Sequence, residues 1–326
     1  MTVIWKPALF QGRNKKKNYF EGWYFKSVSA DEESAYAIIA GLSITSDITS
    51  HAFVMIMDSR KQKLYYAEYP LNEFWANDEK FEIKIGKNIF SLDTIHLDTH
   101  TDNQDITADL TFKNIIQWPV TRSSPGAMGW YRFIPFMECY HGVLSFDHSI
   151  HGYIEINGKK IDLTNGKGYI EKDWGSSMPS SWIWMQTNHF DEEGISLFGS
   201  IAKIPWLHNY FTGYIFGLLY KGHLYKFTTY TGAKVVDLTV SKEKIEIKLE
   251  DKSYQLEIQA RRTEGVDLPA PKLGEMTAKV NESLKSDINI ILSNKDTGQV
   301  IFSGNGRNSG LEFVGDIEEL VKGLKK

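Results

Sequence analysis

The stretch KIEIKLEDKSYQLEIQA, residues 244–260, decides the fold class. Ile245, Ile247 and Leu249 alternate with charged residues, Asp251-Lys252-Ser253 interrupts the pattern, and Tyr254, Leu256, Ile258 and Ala260 resume it. A period of two sends successive side chains to opposite faces of an extended strand. The segment therefore predicts two antiparallel strands joined by a short turn, each with one apolar face. The same alternation recurs at Phe81, Ile83 and Ile85. Around Asn157-Gly158 it appears as Ile154 and Ile156 before the pair and Ile161 and Leu163 after it; Asn-Gly favours the positive φ angles of a type I′ hairpin. Turn residues at Gly86-Lys87-Asn88, Asn165-Gly166, Lys221-Gly222 and Asn294 to Gly298 keep the spacing short. The chain is expected to be mainly β, a barrel or sandwich of antiparallel meanders. The clearest helical signal is at the C-terminus, where Asp316 can cap and Glu319 sits three residues on, ahead of Leu320, Val321 and Leu324.

A chain of 326 residues that is 42% hydrophobic can bury two ordinary cores. The low-periodicity stretch TRSSPGAMGWYRFIPFMECYH (121–141), with Pro125 and Pro135, reads as the connection between two β domains, 1–140 and 141–326. A formal net charge of -4 gives no footprint for nucleic acid, and Lys15 to Lys17 is too short a run for a basic arm. Cys139 is the only cysteine, which excludes an intramolecular disulfide and a thiolate-rich zinc site and makes a reducing compartment the default. No signal peptide is expected at the N-terminus. The apolar windows at 34–44 and 210–220 fall short of the ~20 residues of a membrane helix. The expectation is a cytoplasmic protein, with peripheral membrane contact left open.

Candidate chemistry gathers in two places. In YFEGWYFK (19–26) alternation puts Tyr19, Glu21, Trp23 and Phe25 on one face, a carboxylate among three aromatic rings. In YIEKDWG (169–175) it puts Tyr169, Glu171 and Asp173 on one face and Ile170, Lys172 and Trp174 on the other. Downstream, Trp182, Trp184, Gln186 and Asn188 share a face that reads either as a pocket wall or as core. The two motifs echo each other faintly, as similar barrels in tandem would. His141, His148 and His151 lie close to Asp147 in sequence, but their spacing matches no zinc motif, so no metal is expected. Phosphate loops, GxGxxG turns after a strand and GxSxG elbows are missing too, and with them the case for NAD, ATP or a serine nucleophile.

Five stretches together carry a resemblance: YFEGWYFK, CYHGVLSFDH (139–148), GKGYIEKDWG (166–175), the P-x-x-W-x-W-x-Q-x-N run at 179–188 and GNGRNSGLEFVG (304–315). Their order and spacing resemble the tocopherol cyclase family over nearly the whole chain. The resemblance implies two tandem lipocalin-like antiparallel β-barrels, related to carotenoid hydratases, to which the residues themselves add the short C-terminal helix. It also implies cofactor-independent, acid-catalysed cyclisation or hydration of a prenylated or other isoprenoid lipid; the alternative is a binding protein for a lipophilic molecule. Plant members protonate a prenyl double bond and let a phenol oxygen close on the carbocation. Glu171 is the first candidate acid, because related hydratases carry an acid at that place; Asp173 is second, and Glu21 is a partner acid or a structural residue. The expected substrate-binding residues are Trp23, Tyr24, His141, Trp174, Trp182, Trp184, Gln186 and Asn188, the tryptophans as cation–π partners of a carbocation. Lys172 could pair with an acid, although alternation points it away from Glu171. Without a plastid-targeting extension, and with its Lys- and Ile-rich composition, the chain is expected to be a bacterial homologue.

Overall fold

A computed structural model describes residues 3–45, 49–101, 104–241 and 243–324. Strand follows strand along the chain, in two antiparallel sheets. The first comprises β1 (Tyr19–Val28), β2 (Ala35–Ile44), β3 (His51–Asp58), β4 (Lys63–Pro70), β5 (Phe74–Ala76), β6 (Glu82–Ile85), β7 (Asn88–Ser91), β8 (Thr94–Thr101), β9 (Gln104–Ile116), β10 (Cys139–Ile156), β11 (Lys159–Asp162) and β12 (Lys167–Gly175). Its order, β4-β3-β2-β1-β12-β10-β9-β8-β7-β6-β5 with β11 on β10, nearly closes into a barrel. Thr101 Oγ1 on β8 donates to the Tyr66 carbonyl on β4 at 2.7 Å, and the Tyr69 and Thr99 hydroxyls meet at 2.5 Å. Trp23, Phe25, Ile38, Val54, Phe90 and Ile170 are among the side chains filling its core.

The second sheet comprises β13 (Trp182–Thr187), β14 (Ser196–Trp206), β15 (Asn209–Tyr220), β16 (His223–Thr228), β17 (Lys234–Val240), β18 (Lys244–Glu250), β19 (Tyr254–Arg261), β20 (Val266–Lys272), β21 (Glu275–Asn294) and β22 (Val300–Val314). Its order is β16-β15-β14-β13-β22-β21-β19-β18-β17, with β20 on β21. The opening stretch forms β18 and β19 as expected, with Ile247 opposite Ile258 and every second residue buried. Asn157 and Gly158 both adopt positive φ in the β10–β11 hairpin. Helix α1 (Ile317–Leu324) is capped by Asp316, whose carboxylate accepts the Glu318 N–H at 2.9 Å, and it packs Leu320 into the second core. The mainly β, lipocalin-like fold is thus as expected from the sequence. No described helix is long and apolar enough to cross a membrane.

The domain division differs. One compact unit holds residues 1–178 with 268–279, the other 179–267 with 280–326. The expected boundary at 140/141 fails because β10, β11 and β12 belong to the first sheet, where β12 lies between β1 and β10. The aperiodic stretch 121–141 is an excursion between two adjacent strands of that sheet, β9 and β10, rather than a linker. The echo has the same origin: YFEGWYFK and YIEKDWG are antiparallel neighbours, with Glu21 opposite Trp174 and Tyr24 opposite Glu171.

Candidate active site

Three adjacent strands, β1, β12 and β10, set the geometry. On the face turned away from the barrel core, Gly22, Asp173 and His141 form one row across them, and Tyr24, Glu171 and Val143 the next. Directly opposed residues share a face, so the register alone brings two carboxylates and an imidazole together. His141 Nδ1 lies 2.9 Å from Asp173 Oδ1, and its Nε2 lies 3.7 Å from Glu171 Oε2. The Tyr169 hydroxyl, two residues along the same face, donates to Glu171 Oε2 at 2.6 Å. Glu171 and Tyr169 are buried, whereas His141 and Asp173 keep partial exposure. At Gly22, directly opposite Asp173, a Cβ would meet only Ile39 Cγ2, at 3.7 Å, so there is room for a side chain to begin there.

Burial alone would push the His141 pKa down. The charges of Asp173 and Glu171, with the hydrogen bond to Asp173, overcome that and hold it up at about 9. At neutral pH the ring is therefore an imidazolium bridging two carboxylates. Burial, then the Glu171 charge, raises the Tyr169 phenol well above its ordinary value, so it remains a hydroxyl donor. The Cys139 thiol, 3.7 Å from Asp173 Oδ1, is likewise pushed up by burial and by that carboxylate, which keeps it from being a ready nucleophile.

Metal binding can be judged from the same atoms. One donor atom from each of His141, Glu171 and Asp173 falls within 4.8 Å of the others, close enough to hold an ion. The imidazole, however, directs different nitrogens at the two carboxylates, and a single ion can take only one of them. As built, the ring turns one nitrogen to each carboxylate, within hydrogen-bond distance of Asp173 and 3.7 Å from Glu171. His148 is a core residue: buried against the Phe112 ring, with Nδ1 2.9 Å from Ser145 Oγ, it is held neutral by burial, its pKa pulled down to about 3. His151 is exposed.

Glu21 is placed elsewhere. It points into the barrel with Lys172, the two wholly buried and 2.5 Å apart. The Gln11 N–H donates to both Glu21 oxygens, at 2.9 and 3.0 Å, and the Tyr19 hydroxyl donates to Oε2. Lys172 Nζ also donates to the Pro7 and Leu9 carbonyls at 2.9 and 2.5 Å, and Trp23 Nε1 to that of Ala8 at 2.9 Å. The pair thus clasps the N-terminal segment. The indole faces expected to meet a carbocation already hold a cation: Lys172 Nζ lies 4.7 Å from the ring centroids of both Trp23 and Trp174. Alternation explains this correction, since Glu21, Trp23 and Trp174 occupy the core face and Glu171 the other.

Trp182, Trp184, Gln186 and Asn188 belong to the second unit. The first three lie on β13 and are buried on the face opposite Ile183 and Met185, which enter that unit's core. Asn188 is buried just beyond the strand end. Trp182 Nε1 donates to Glu312 Oε2 at 2.7 Å, and Trp184 lies over Gly310, where a Cβ would come within 2.6 Å of the ring. Buried Glu282 stands directly opposite Glu312 on the neighbouring strand. Sequence reasoning missed Glu282, which lies in a long strand with no aromatic motif around it, and did not give Tyr169 its role beside Glu171, although the Tyr-x-Glu spacing carried that signal.

The family model described as tocopherol cyclase-like matches residues 87–315, a span that contains His141, Tyr169, Glu171 and Asp173. The chain belongs to the tocopherol cyclase-like family. It is 29% identical over 159 residues to "Probable tocopherol cyclase, chloroplastic" of Oryza sativa subsp. japonica, a match covering 47% of this chain and 34% of the rice protein. With "Tocopherol cyclase, chloroplastic" of Zea mays it shares 26% over 197 residues, 57% of this chain and 41% of the maize protein. The chain thus spans well under half the length of these plant relatives. Among solved structures, CghA with Sch210972 superposes with a TM-score of 0.56 over 91% of this chain and 89% of that one, at 9% identity, a likeness of fold alone.

Proposed function

We propose that this family member is a cofactor-independent enzyme that protonates an alkene of a lipophilic, prenylated substrate and lets an oxygen nucleophile capture the carbocation, giving cyclisation or hydration. The single observation that carries the reading is the cluster of Asp173, His141 and Glu171 on one sheet face, with the Tyr169 hydroxyl bonded to Glu171. The names of the plant relatives support the reaction class.

The proton rests on His141, held there by two carboxylates. An apolar chain lying over Glu171 excludes water and disfavours the charged carboxylate. The proton then passes from Nε2 to Oε2, across a gap that is long in the unliganded protein and closes on binding. Glu171 gives it to the alkene carbon. The carboxylate left behind, with Asp173 beyond the neutral imidazole, places negative charge beside the carbocation. Attack by a phenol or water oxygen forms the C–O bond, and the proton that oxygen loses returns to Glu171 and His141. The net change is an isomerisation for an internal phenol, or addition of water.

The test is turnover of a prenylated hydroquinone, followed by mass and retention of the product, in wild type and Glu171→Gln. The variant is expected to lose about 10²- to 10⁴-fold in kcat, the usual weight of general acid catalysis, while still binding substrate. Substrate bound without turnover in wild type, and affinity alone altered in the variant, would instead identify a binding protein.

A further inference from the structure

We propose that the loop between β9 and β10, together with the N-terminal segment, is a docking surface for an anionic lipid bilayer. Several of its large apolar side chains are exposed to water. Phe136 is 98% exposed; Val3, Ile116, Val120, Trp130 and Phe133 are exposed too. Large aromatic rings held in water are costly, and soluble chains seldom cluster them without an interaction to serve. Phe136 also adopts φ +64°, a conformation that a bulky non-glycine residue rarely takes. A strained residue whose side chain touches nothing is a place where fold stability is not the reason for the geometry.

Charge selects the partner. Residues 1–20 and 110–137 hold eight lysines and arginines and no aspartate or glutamate, in a chain of formal net charge -4. Arg13 pairs with Asp78, and Lys6 donates to the Glu79 carbonyl; Lys15, Lys16, Lys17 and Arg122 are exposed. The two segments form one surface, because Trp5 donates to the Arg122 carbonyl at 3.2 Å and its ring meets Phe133 edge-on at 5.8 Å. Aromatic rings among basic side chains match a bilayer interface: the rings enter the headgroup layer and the cations meet anionic lipid.

The backing of the loop is firm. The Tyr140 hydroxyl donates to the Ile134 carbonyl at 2.7 Å, and the Arg132 guanidinium lies 5.1 and 5.0 Å over the Tyr140 and Trp174 rings. The loop runs directly into β10, and Phe136 is only five residues before His141, at most ~18 Å away even in fully extended chain. A substrate leaving the bilayer at this loop arrives beside the Asp173–His141–Glu171 cluster. That benefit rests on the function proposed above; the docking itself does not.

Flotation with vesicles of phosphatidylcholine and phosphatidylglycerol, and of phosphatidylcholine alone, tests the docking without any substrate. Wild type is expected to float with the anionic vesicles and to lose binding as salt rises. Phe133→Ser/Phe136→Asn should weaken it at least about tenfold with an unchanged near-UV spectrum, since Asn tolerates positive φ. A triple Lys15, Lys16, Lys17→Gln variant should weaken binding to the anionic vesicles only. Leu207→Asn, at an equally exposed hairpin tip of the other unit (90% exposed), should change nothing. The proposal falls if wild type stays in the bottom fraction. It falls equally if the Phe variant floats as well as wild type, if Leu207→Asn abolishes binding, or if the Phe variant merely converts a dimer to a monomer.

Discussion

Glu21→Gln separates an acid that does chemistry from one that holds the barrel shut. Lys172 Nζ sits among the Glu21 carboxylate at 2.5 Å, the Pro7 and Leu9 carbonyls at 2.9 and 2.5 Å, and two indole faces. Burial already pulls the Lys172 pKa down to about 8, and the Glu21 charge is what opposes a further fall. With a neutral amide in its place, the amine has lost its counter-charge in a fully buried site and must either give up its proton or stay charged at high cost. Removing one partner of a buried pair costs about 3–5 kcal/mol. With a slope of about 2–3 kcal/mol per molar urea, the first unit's unfolding midpoint should fall by roughly 1–2.5 M. Tryptophan fluorescence is a natural probe, since Trp23 and Trp174 both face the amine. Turnover per folded molecule at low denaturant should stay near wild type. The companion variant Glu21→Leu/Lys172→Met should recover only part of the loss: it removes the unpaired buried charge, but leaves the Gln11 N–H, the Tyr19 hydroxyl and the Pro7 and Leu9 carbonyls without these partners. An unchanged urea midpoint combined with lost turnover would refute the reasoning and return Glu21 to the chemistry.

Three further outcomes follow from the face that carries His141. His141, observed by NMR, should titrate at about pH 9; its raised folded pKa adds stability that is fully present below the unfolded value of about 6.5 and lost as pH rises through about 9. In Asp173→Asn both the high pKa and the alkaline loss of stability should shrink, and an unmoved titration would show that Asp173 does not hold the proton there. Tyr169→Phe removes the 2.6 Å bond to Glu171 and should lower kcat by roughly 10- to 100-fold, the weight of a hydrogen bond to a charged group, while shifting the pH profile of kcat; a change in KM alone would contradict its positioning role. Gly22→Ala puts a methyl group opposite Asp173 where there is room for it, so KM should rise severalfold with the melting temperature nearly unchanged. A KM equal to wild type would mean that the substrate does not lie there.

Much of the fold was legible because a β-strand prints its burial into its own sequence. Ile245, Ile247 and Leu249 identify a strand and its inner face without reference to anything else, and Asp316 with Leu320 does the same for the final helix. Alternation also placed Tyr169, Glu171 and Asp173 together on one face and Lys172 on the other. The division at 140/141 failed for the opposite reason: local pattern tells which residues form a strand, not which strand lies beside it. A proline-bearing stretch between two neighbouring strands looks the same as a linker between two domains.

The sequence by itself determined the strands, their two faces, the hairpin at Asn157-Gly158, the family and the presence of Glu171 and Asp173 on a common face. Pairing across the sheet was decided only by the tertiary structure. Glu21 and Lys172 lie 151 positions apart in the chain, and only the β1–β12 register brings them together as a buried ion pair. His141 becomes a proton-bearing bridge only because β10 lies against β12 in the register that sets it opposite Asp173. Period-two alternation is a property of one strand and survives in the sequence. Register is an agreement between two strands, fixed by the hydrogen bonds and packing they share, and neither strand carries it alone.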